Sequence, residues 1–480
     1  MRKLVPNLLR LAPLALLLAS SASAQTTGTI IGVVTDASTG KPVVGALVLA
    51  RSSGLQGEQT AVTDEKGAYR LPQLPPGQYT LAVQLGGYRP AERSDITLRI
   101  DKTIRANLAV VPEAVQLQEQ QVRTGVAPVI NVGSAESGSV LTKEFVANIP
   151  VGRSFEAASV TAPTAKADSF GVGFAGAQSP ENNYILDGLS VTDPRYGTNG
   201  VSLLNNFVQE IDVKTGSFMP EYGRASGGIL NVVSKSGSNE FHGSVFGNWQ
   251  PGQLTPTGKT AGRAGEAVAF RVNPGEGSYA TDFGFDLGGP VIKDRLWFYA
   301  GFAPVISRTA YERFLRTTAI NGTPTSDPTV DDRVRGPDGD FIYSTIPGTT
   351  NISKSFNRAY QFNGKLTYLL DENNNLTLSG FGNPSTNTDI TSGSEGVFTM
   401  NRALSRQSFD YTQSSYDLIG RYSGKFLQKR LIFEALGGWH RQGYADQPTV
   451  RDGVDQGTTP AIRWRNRLTQ ASNLSGATGG

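Results

Sequence analysis

After position 240 the chain alternates between apolar and polar residues over stretches of roughly ten residues, as in TDFGFDLGG, AYQFNGKLTYLL and SYDLIGRYSGKF. In the first of these, Phe283, Phe285 and Leu287 share one face, and Asp282 and Asp286 share the other. Successive side chains of a β-strand point to opposite faces, so this period of two predicts strands. We count seven of them, or eight if AIRWRNRL at 461–468 is also a strand.

Alternating strands occur either in soluble sheets or in membrane β-barrels, and three features favour the barrel. The strand length fits the ~9–11 residues that cross a bilayer when tilted. Short turns alternate with long polar segments at 251–280, 307–357, 384–413 and 442–460, as in outer-membrane barrels. Aromatic residues near the strand ends suit the membrane interfaces: Trp249, Trp297, Tyr299, Tyr368 and Trp439. We therefore predict that residues 239–480 form the N-terminal part of a transmembrane antiparallel β-barrel.

The N-terminus has the three parts of a secretory signal peptide. MRKLVPNLLR is basic, LAPLALLLAS is apolar, and ASAQ predicts cleavage between Ala24 and Gln25. The apolar run is far shorter than the ~20 residues of a membrane-spanning helix. Residues 1–24 are thus predicted to direct export and to be removed.

Residues 28–111 predict a small all-β domain, because short alternating segments are separated by Gly and Pro every 8–12 residues. The stretch TDEKGAYRLPQLPPGQYTLAVQLGGY resembles the carboxypeptidase regulatory-like domain. That resemblance implies a prealbumin-like β-sandwich with a carbohydrate-binding-like fold.

Two further segments precede the barrel. Residues 112–134 are polar and without period, which predicts a linker. Residues 135–238 predict an α+β domain, with Leu141, Phe145 and Val146 on a helical face and NNYILDGLSVTD as a hairpin around Asp187-Gly188.

The motifs IPVGRSF, NNYILDGLSVTD and FVQEIDVKTGSFMPEYGRASGGILNVVSKSGSNEFHGSVFGN resemble the plug-to-barrel junction of TonB-dependent outer-membrane receptors of the Oar-like group. The domain order is also that of the family. The resemblance implies that residues 135–238 are the plug and that the protein lies in outer-membrane lipid. It further implies energy-coupled uptake with a periplasmic TonB-type protein and an extracellular siderophore, oligosaccharide or peptide ligand. The alternative is a barrel-anchored adhesin or structural protein whose sandwich domain binds sugar.

The resemblance places a TonB-contact segment (TonB box) in the linker, at Leu117, Gln118, Glu119, Gln120, Gln121 and Val122; an ordinary linker is the alternative. The plug–barrel junction comprises Glu221, Tyr222, Gly223, Arg224, Gly227 and Gly228. We expect the glycines to let the backbone pass closely into the first barrel strand. Glu221 and Arg224 either pair with barrel charges or form a solvated turn pair.

Composition argues against an enzyme. The chain has no cysteine and only two histidines, His242 and His440, and neither lies in a zinc-peptidase motif. A net charge of +3 gives no reason to expect a nucleic-acid partner. The sequence predicts no catalytic residue, no metal site and no cofactor.

Plugged transporter barrels have about 22 strands, many more than are counted here. An open sheet would leave unpaired backbone groups in hydrocarbon. We therefore expect the sequence to be a truncated barrel, part of a longer receptor or a truncated reading frame, which does not transport alone.

Overall fold

The computed structural model describes residues 26–113, 130–131, 136–218, 222–223, 225–260, 268–320, 333–391, 408–427 and 431–448. The predicted signal cleavage site at Ala24 and Gln25 lies outside these residues. No helix in the described part of the chain has both the length and the apolar character needed to cross a membrane.

The first domain is a β-sandwich. Its strands are β1 Gly28–Asp36, β2 Leu47–Arg51, β3 Gln59–Val62, β4 Ala68–Leu74, β5 Gly77–Gln84, β6 Ala91–Leu98, β7 Thr103–Arg105 and β8 Leu108–Val110. One sheet has the order β4-β1-β7, with β8 also pairing β1, and the other has the order β3-β2-β5-β6. The TDEKG turn between β3 and β4 forms because Asp64 Oδ1 accepts hydrogen bonds from the Lys66 and Ala68 amides, and Gly67 takes a φ of 69°.

A short strand near the end of the linker joins this sandwich. β9, Ile130–Asn131, pairs antiparallel with β7. The end of the linker is therefore held on the edge of a sandwich sheet.

The second domain is α+β. It contains β10 Ser137–Thr142, α1 Lys143–Ala147, α2 Phe155–Ser159, β11 Lys166–Ala167, β12 Val172–Gly173, β13 Asn183–Leu186, β14 Leu189–Ser190, β15 Val208–Gly216 and β16 Ile229–Ser234. Its main sheet has the order β10-β15-β16-β13-β14, so β10 is an edge strand. The predicted hairpin around Asp187-Gly188 is present as β13 and β14.

The predicted helical face at Leu141 is wrong. Leu141 lies in β10, opposite Ile211 of β15. The helix begins only after Thr142, whose hydroxyl accepts a hydrogen bond from the Phe145 amide. Strand pairing and the N-cap together exclude Leu141 from the helix.

The remaining strands form one large antiparallel sheet, here called the barrel sheet. They are β17 His242–Pro251, β18 Val268–Val272, β19 Tyr279–Ile292, β20 Leu296–Thr318, β21 Tyr343–Thr345, β22 Asn351–Asp371, β23 Asn374–Gly382, β24 Ser385–Thr391, β25 Ser408–Phe426 and β26 Leu431–Pro448. β17, β19, β20, β22, β23, β25 and β26 are neighbours in chain order, and β24 continues the line of β23. These are the seven strands that the alternation predicts.

The barrel sheet is apolar outside and polar inside. Val245 is 88% exposed and Leu418 is 51% exposed, whereas Asn363 and Lys365 on inward positions are only 2% and 7% exposed. A water-soluble sheet shows the reverse, with its apolar face buried. The distribution matches a sheet whose outer face meets lipid, as the sequence predicts.

The strands are longer than predicted, because β20 has 23 residues and β22 has 21. The two remain paired from Leu296↔Tyr368 to Arg313↔Asn351. Residues 307–318 and 351–357 therefore belong to strands and not to the long polar segment predicted at 307–357. Apolar–polar alternation marks only the part of a strand where one face meets lipid. The backbone pairing of β20 and β22 continues beyond that part, so the sequence pattern underestimates the strand length.

Two of the predicted interface aromatics face inward. Trp297 and Tyr299 are buried; the Trp297 indole donates to Asn239 Oδ1 at 2.8 Å and the Tyr299 hydroxyl to Asp286 Oδ2 at 3.0 Å. Trp297 and Tyr299 are two positions apart in β20, so they lie on the same side of the strand, and that side faces the interior. Trp249 and Trp439 are on the outer face, as predicted.

An outward arginine should distinguish lipid from water. Leu366→Arg on β22 should destabilise the folded barrel by up to about 2–4 kcal/mol, the cost of an arginine at the bilayer midplane. The control is Val62→Arg on the sandwich, because Val62 is also an exposed apolar strand residue and surface substitutions usually stay within about 0.5 kcal/mol. Urea unfolding in liposomes measures both, and an equally small loss at the two positions would contradict a lipid-facing sheet.

Candidate functional site: the plug and its contacts

The α+β domain packs against the inner face of the barrel sheet. Its apolar core, which includes Phe207, is continuous with Phe381 and Ile419 of the barrel sheet. The ring centroids of Phe246 in β17 and Phe207 are 6.0 Å apart, and the two rings pack edge to face. Val245, the neighbour of Phe246, points outward. The first barrel strand therefore has one side toward lipid and the other toward this domain, which occupies the position of a plug.

Among the described residues, three ion pairs join the plug to the barrel sheet. The Nη2 atom of Arg153, in the IPVGRSF motif, lies 2.8 Å from Asp282 Oδ2. The Nζ atom of Lys235 lies 2.9 Å from Asp286 Oδ2. The Nζ atom of Lys365 lies 2.8 Å from Asp187 Oδ2. Both signs of charge occur on each side. The inward charges Asp282, Asp286 and Lys365 thus have partners on the plug.

Asp187 is more than the turn residue that the sequence suggested. The Asp187-Gly188 turn exists, with φ of 48° and 88°. In addition, the buried Asp187 carboxylate accepts hydrogen bonds from the Ser234 amide and hydroxyl and pairs with Lys365. The signal that could have identified this pair is the inward, polar position of Lys365 on an alternating strand.

Two of the six predicted junction residues lie outside the described part of the chain, and the other four are described. Glu221 and Arg224 lie outside the described residues. At Gly227 and Gly228 the backbone passes closely, because an added Cβ would lie 2.6 Å from Asn182 Oδ1 and 2.5 Å from the Phe174 ring.

Gly223 differs, since an added Cβ there would meet open space. Tyr222 is buried, and its hydroxyl donates to Asp101 Oδ2 at 2.7 Å. The junction is thus tied to the sandwich domain. The predicted TonB-contact residues from Leu117 to Val122 lie outside the described residues.

A buried charge cluster joins the sandwich to the plug. The Lys214 Nζ atom of β15 lies 2.9 Å from Asp101, 2.7 Å from Glu136 and 3.0 Å from Asp212. Lys102 approaches Glu136 at 3.0 Å. Burial works against the charge of Lys214, but the surrounding carboxylates raise its pKa and keep it protonated.

Glu210 makes a separate contact between the same domains. Its Oε1 atom accepts a hydrogen bond from the Ile100 amide at 3.0 Å. Burial raises the pKa of Glu210 to about 8, against the opposing effects of the Ile100 hydrogen bond and nearby Arg99. This carboxyl therefore titrates near neutral pH.

The described residues contain no group of three or more His, Cys, Asp or Glu side chains placed to hold a metal ion.

Comparisons with known proteins match two parts of the chain to families. Residues 29–111 match the carboxypeptidase regulatory-like domain, and residues 233–328 match the outer membrane beta barrel domain. The chain is 38% identical over 476 residues to the TonB-dependent transporter Oar of Myxococcus xanthus, which covers 94% of this chain and 43% of that protein. The chain thus spans less than half the length of this curated relative.

Solved structures give more distant likenesses. The ferripyoverdine receptor of Pseudomonas aeruginosa is 12% identical, with 76% of this chain and 53% of that chain covered and a TM-score of 0.33. The siderophore receptor PiuA of Acinetobacter baumannii is 15% identical, with 68% and 48% covered and a TM-score of 0.31.

Removing one partner of a buried plug–barrel pair should loosen the plug. Lys365→Met leaves the Asp187 carboxylate buried without its cation and should cost about 3–5 kcal/mol. The double variant Asp187→Asn/Lys365→Met should recover most of that loss. The urea dependence of protease access to the plug measures the effect.

The matched control is Arg51→Gln, which removes one partner of the exposed Arg51–Glu58 pair on the sandwich. Such pairs contribute at most about 1 kcal/mol. If Lys365→Met costs as little as this control, the plug is not held by the buried pair.

The docking of the sandwich on the plug should weaken as pH rises. Between the ordinary carboxyl pKa of 4.5 and about 8, Glu210 keeps its proton when docked and loses it when separated. Docking therefore loses up to about 1.4 kcal/mol per pH unit across this window. Hydrogen exchange of the Ile100 amide measures docking at each pH.

Glu210→Gln should flatten this dependence, because an amide does not titrate, whereas Glu58→Gln on the exposed sandwich surface should leave it unchanged. An equal slope in Glu210→Gln and the wild type would show that another group titrates.

Proposed function

Because this chain is related to a TonB-dependent transporter over 94% of its length, we propose that it serves as an outer-membrane receptor for energy-coupled uptake of a ligand. The barrel sheet, with its match to the outer membrane beta barrel domain, lies in the outer membrane. Its curated relative is a transporter, and the chain is not an enzyme.

The observation that carries the proposal is the seating of the plug. Arg153, Asp187 and Lys235 each pair with a charge on the barrel sheet. Buried ion pairs contribute little net stability compared with well-packed apolar contacts, since their attraction is offset by lost hydration. Water that enters when a plug moves restores that hydration, so such contacts suit an element that must both close the pore and leave its seat.

An adhesin with a barrel anchor needs no removable plug, so the plug contacts favour the receptor over this alternative. In the proposed function, the ligand is an extracellular siderophore, oligosaccharide or peptide. A periplasmic TonB-type protein pairs with Leu117 to Val122 by strand addition and supplies the energy.

Residues 1–480 contain no native cysteine, which allows a direct test once any cysteine elsewhere in the full-length protein is replaced by serine. Single substitutions from Leu117→Cys to Val122→Cys in the full-length protein should form disulfides with cysteine-substituted TonB-type protein in cells. The yield of the disulfide should alternate from one position to the next along the segment, because alternate side chains of a paired strand face the partner. Disulfide yield on non-reducing gels is the measurement.

Glu65→Cys, in an exposed turn of the sandwich, is the control and should form no such disulfide. Deletion of residues 117–124 should abolish co-purification of the TonB-type protein. Equal yields at Glu65 and throughout 117–122, or co-purification after the deletion, would reject this contact.

A further inference from the structure

The plug begins with the strand that is easiest to detach. β10 is the edge strand of the plug sheet, and among the described strands it pairs only with β15. Its first residue, Ser137, is opposite Gly216, and the linker comes immediately before it. A pull on the linker therefore reaches the β10–β15 ladder at this end, where the hydrogen bonds would open one after another.

An ion pair closes this end of the ladder. Glu136, directly before β10, lies 2.7 Å from Lys214, and Lys214 is the β15 residue opposite Gly138. Both side chains are almost fully buried, at 3% and 1% exposed. Glu136, the plug residue that would move first under tension, is thus joined by an ion pair to β15, the strand from which β10 would separate.

The sandwich domain supplies the other half of this fastening. Lys102 lies 3.0 Å from Glu136, and Asp101 accepts hydrogen bonds from Lys214 at 2.9 Å and from Tyr222 at 2.7 Å. The pairing of β9 with β7 also holds the last part of the linker on the sandwich. Residues of both the plug and the sandwich therefore contact the short segment that ends at Glu136.

We propose that Asp101, Lys102, Glu136 and Lys214 form a clamp through which the regulatory-like sandwich bears tension from the linker. The clamp sets the force at which β10 begins to leave the plug. The sandwich is then a mechanical part of the receptor, and not only a binding module attached to it. Tension on the linker comes from the proposed function, whereas the clamp itself does not depend on a TonB-type protein.

Single-molecule pulling tests the clamp without any energising partner. The full-length protein, with any cysteine outside residues 1–480 replaced by serine, is reconstituted in a supported bilayer and pulled through Gln120→Cys, because residues 1–480 contain no native cysteine. Asp101→Asn/Lys102→Met removes the sandwich charges from the clamp. Asn suits position 101 because it tolerates the left-handed φ of 55° found there and keeps an acceptor for Tyr222.

In this variant the force of the first rupture should fall by at least about one third. Hydrogen exchange at the Ser139 to Leu141 amides of β10 should rise at least about tenfold. Exchange in β1, at the sandwich core, should stay at the wild-type rate, which shows that the sandwich is still folded. Glu58→Gln, which breaks the exposed pair in the same domain, should change neither readout.

An unchanged first rupture force together with unchanged β10 exchange would overturn the clamp. A lowered rupture force in a protein whose linker fails to cross-link to the TonB-type protein would retain the clamp and reject the proposed partner. The two proposals can therefore fail separately.

Discussion

A strand that crosses a bilayer must satisfy its backbone hydrogen bonds with neighbouring strands, because hydrocarbon offers no alternative donor or acceptor. This constraint explains the continuous antiparallel ladder from β17 to β26, in which, for example, β20 and β22 match residue for residue from Leu296↔Tyr368 to Arg313↔Asn351. It also explains the inverted distribution of side chains. With apolar residues such as Val245 and Leu418 turned outward, the polar residues of the same strands are directed inward, where they need partners.

The plug supplies those partners. Arg153, Lys235 and Asp187 meet inward charges of the barrel sheet, and Phe207 packs against Phe246 of the first strand. The plug is therefore held by apolar contacts, by the buried Asp187–Lys365 pair, and by the Arg153 and Lys235 pairs, whose basic side chains are 42% and 21% exposed. This combination of apolar and ionic contacts suits the releasable plug of the proposed function.

The position of the sandwich connects this interface to the linker. Lys214 belongs to the plug, Asp101 and Lys102 belong to the sandwich, and Glu136 lies at the start of the plug, between the linker and β10. Glu210 adds a titratable contact to Ile100 of the sandwich. Because these groups are buried together, any movement of the linker relative to the plug must expose several charges at once, which makes the start of the plug a cooperative unit.

The sequence by itself determined the fold class and the inward or outward face of most barrel residues. These follow from local properties, since alternation and turn residues act over a few positions. It did not determine that Trp297 and Tyr299 face the interior, that Leu141 lies in a strand, or how far the strands continue. Only the tertiary structure decided which charges meet. Asp187 and Lys365 are 178 positions apart, since 365 − 187 = 178, and their pairing depends on strand register and on the seating of the plug, which no local pattern encodes.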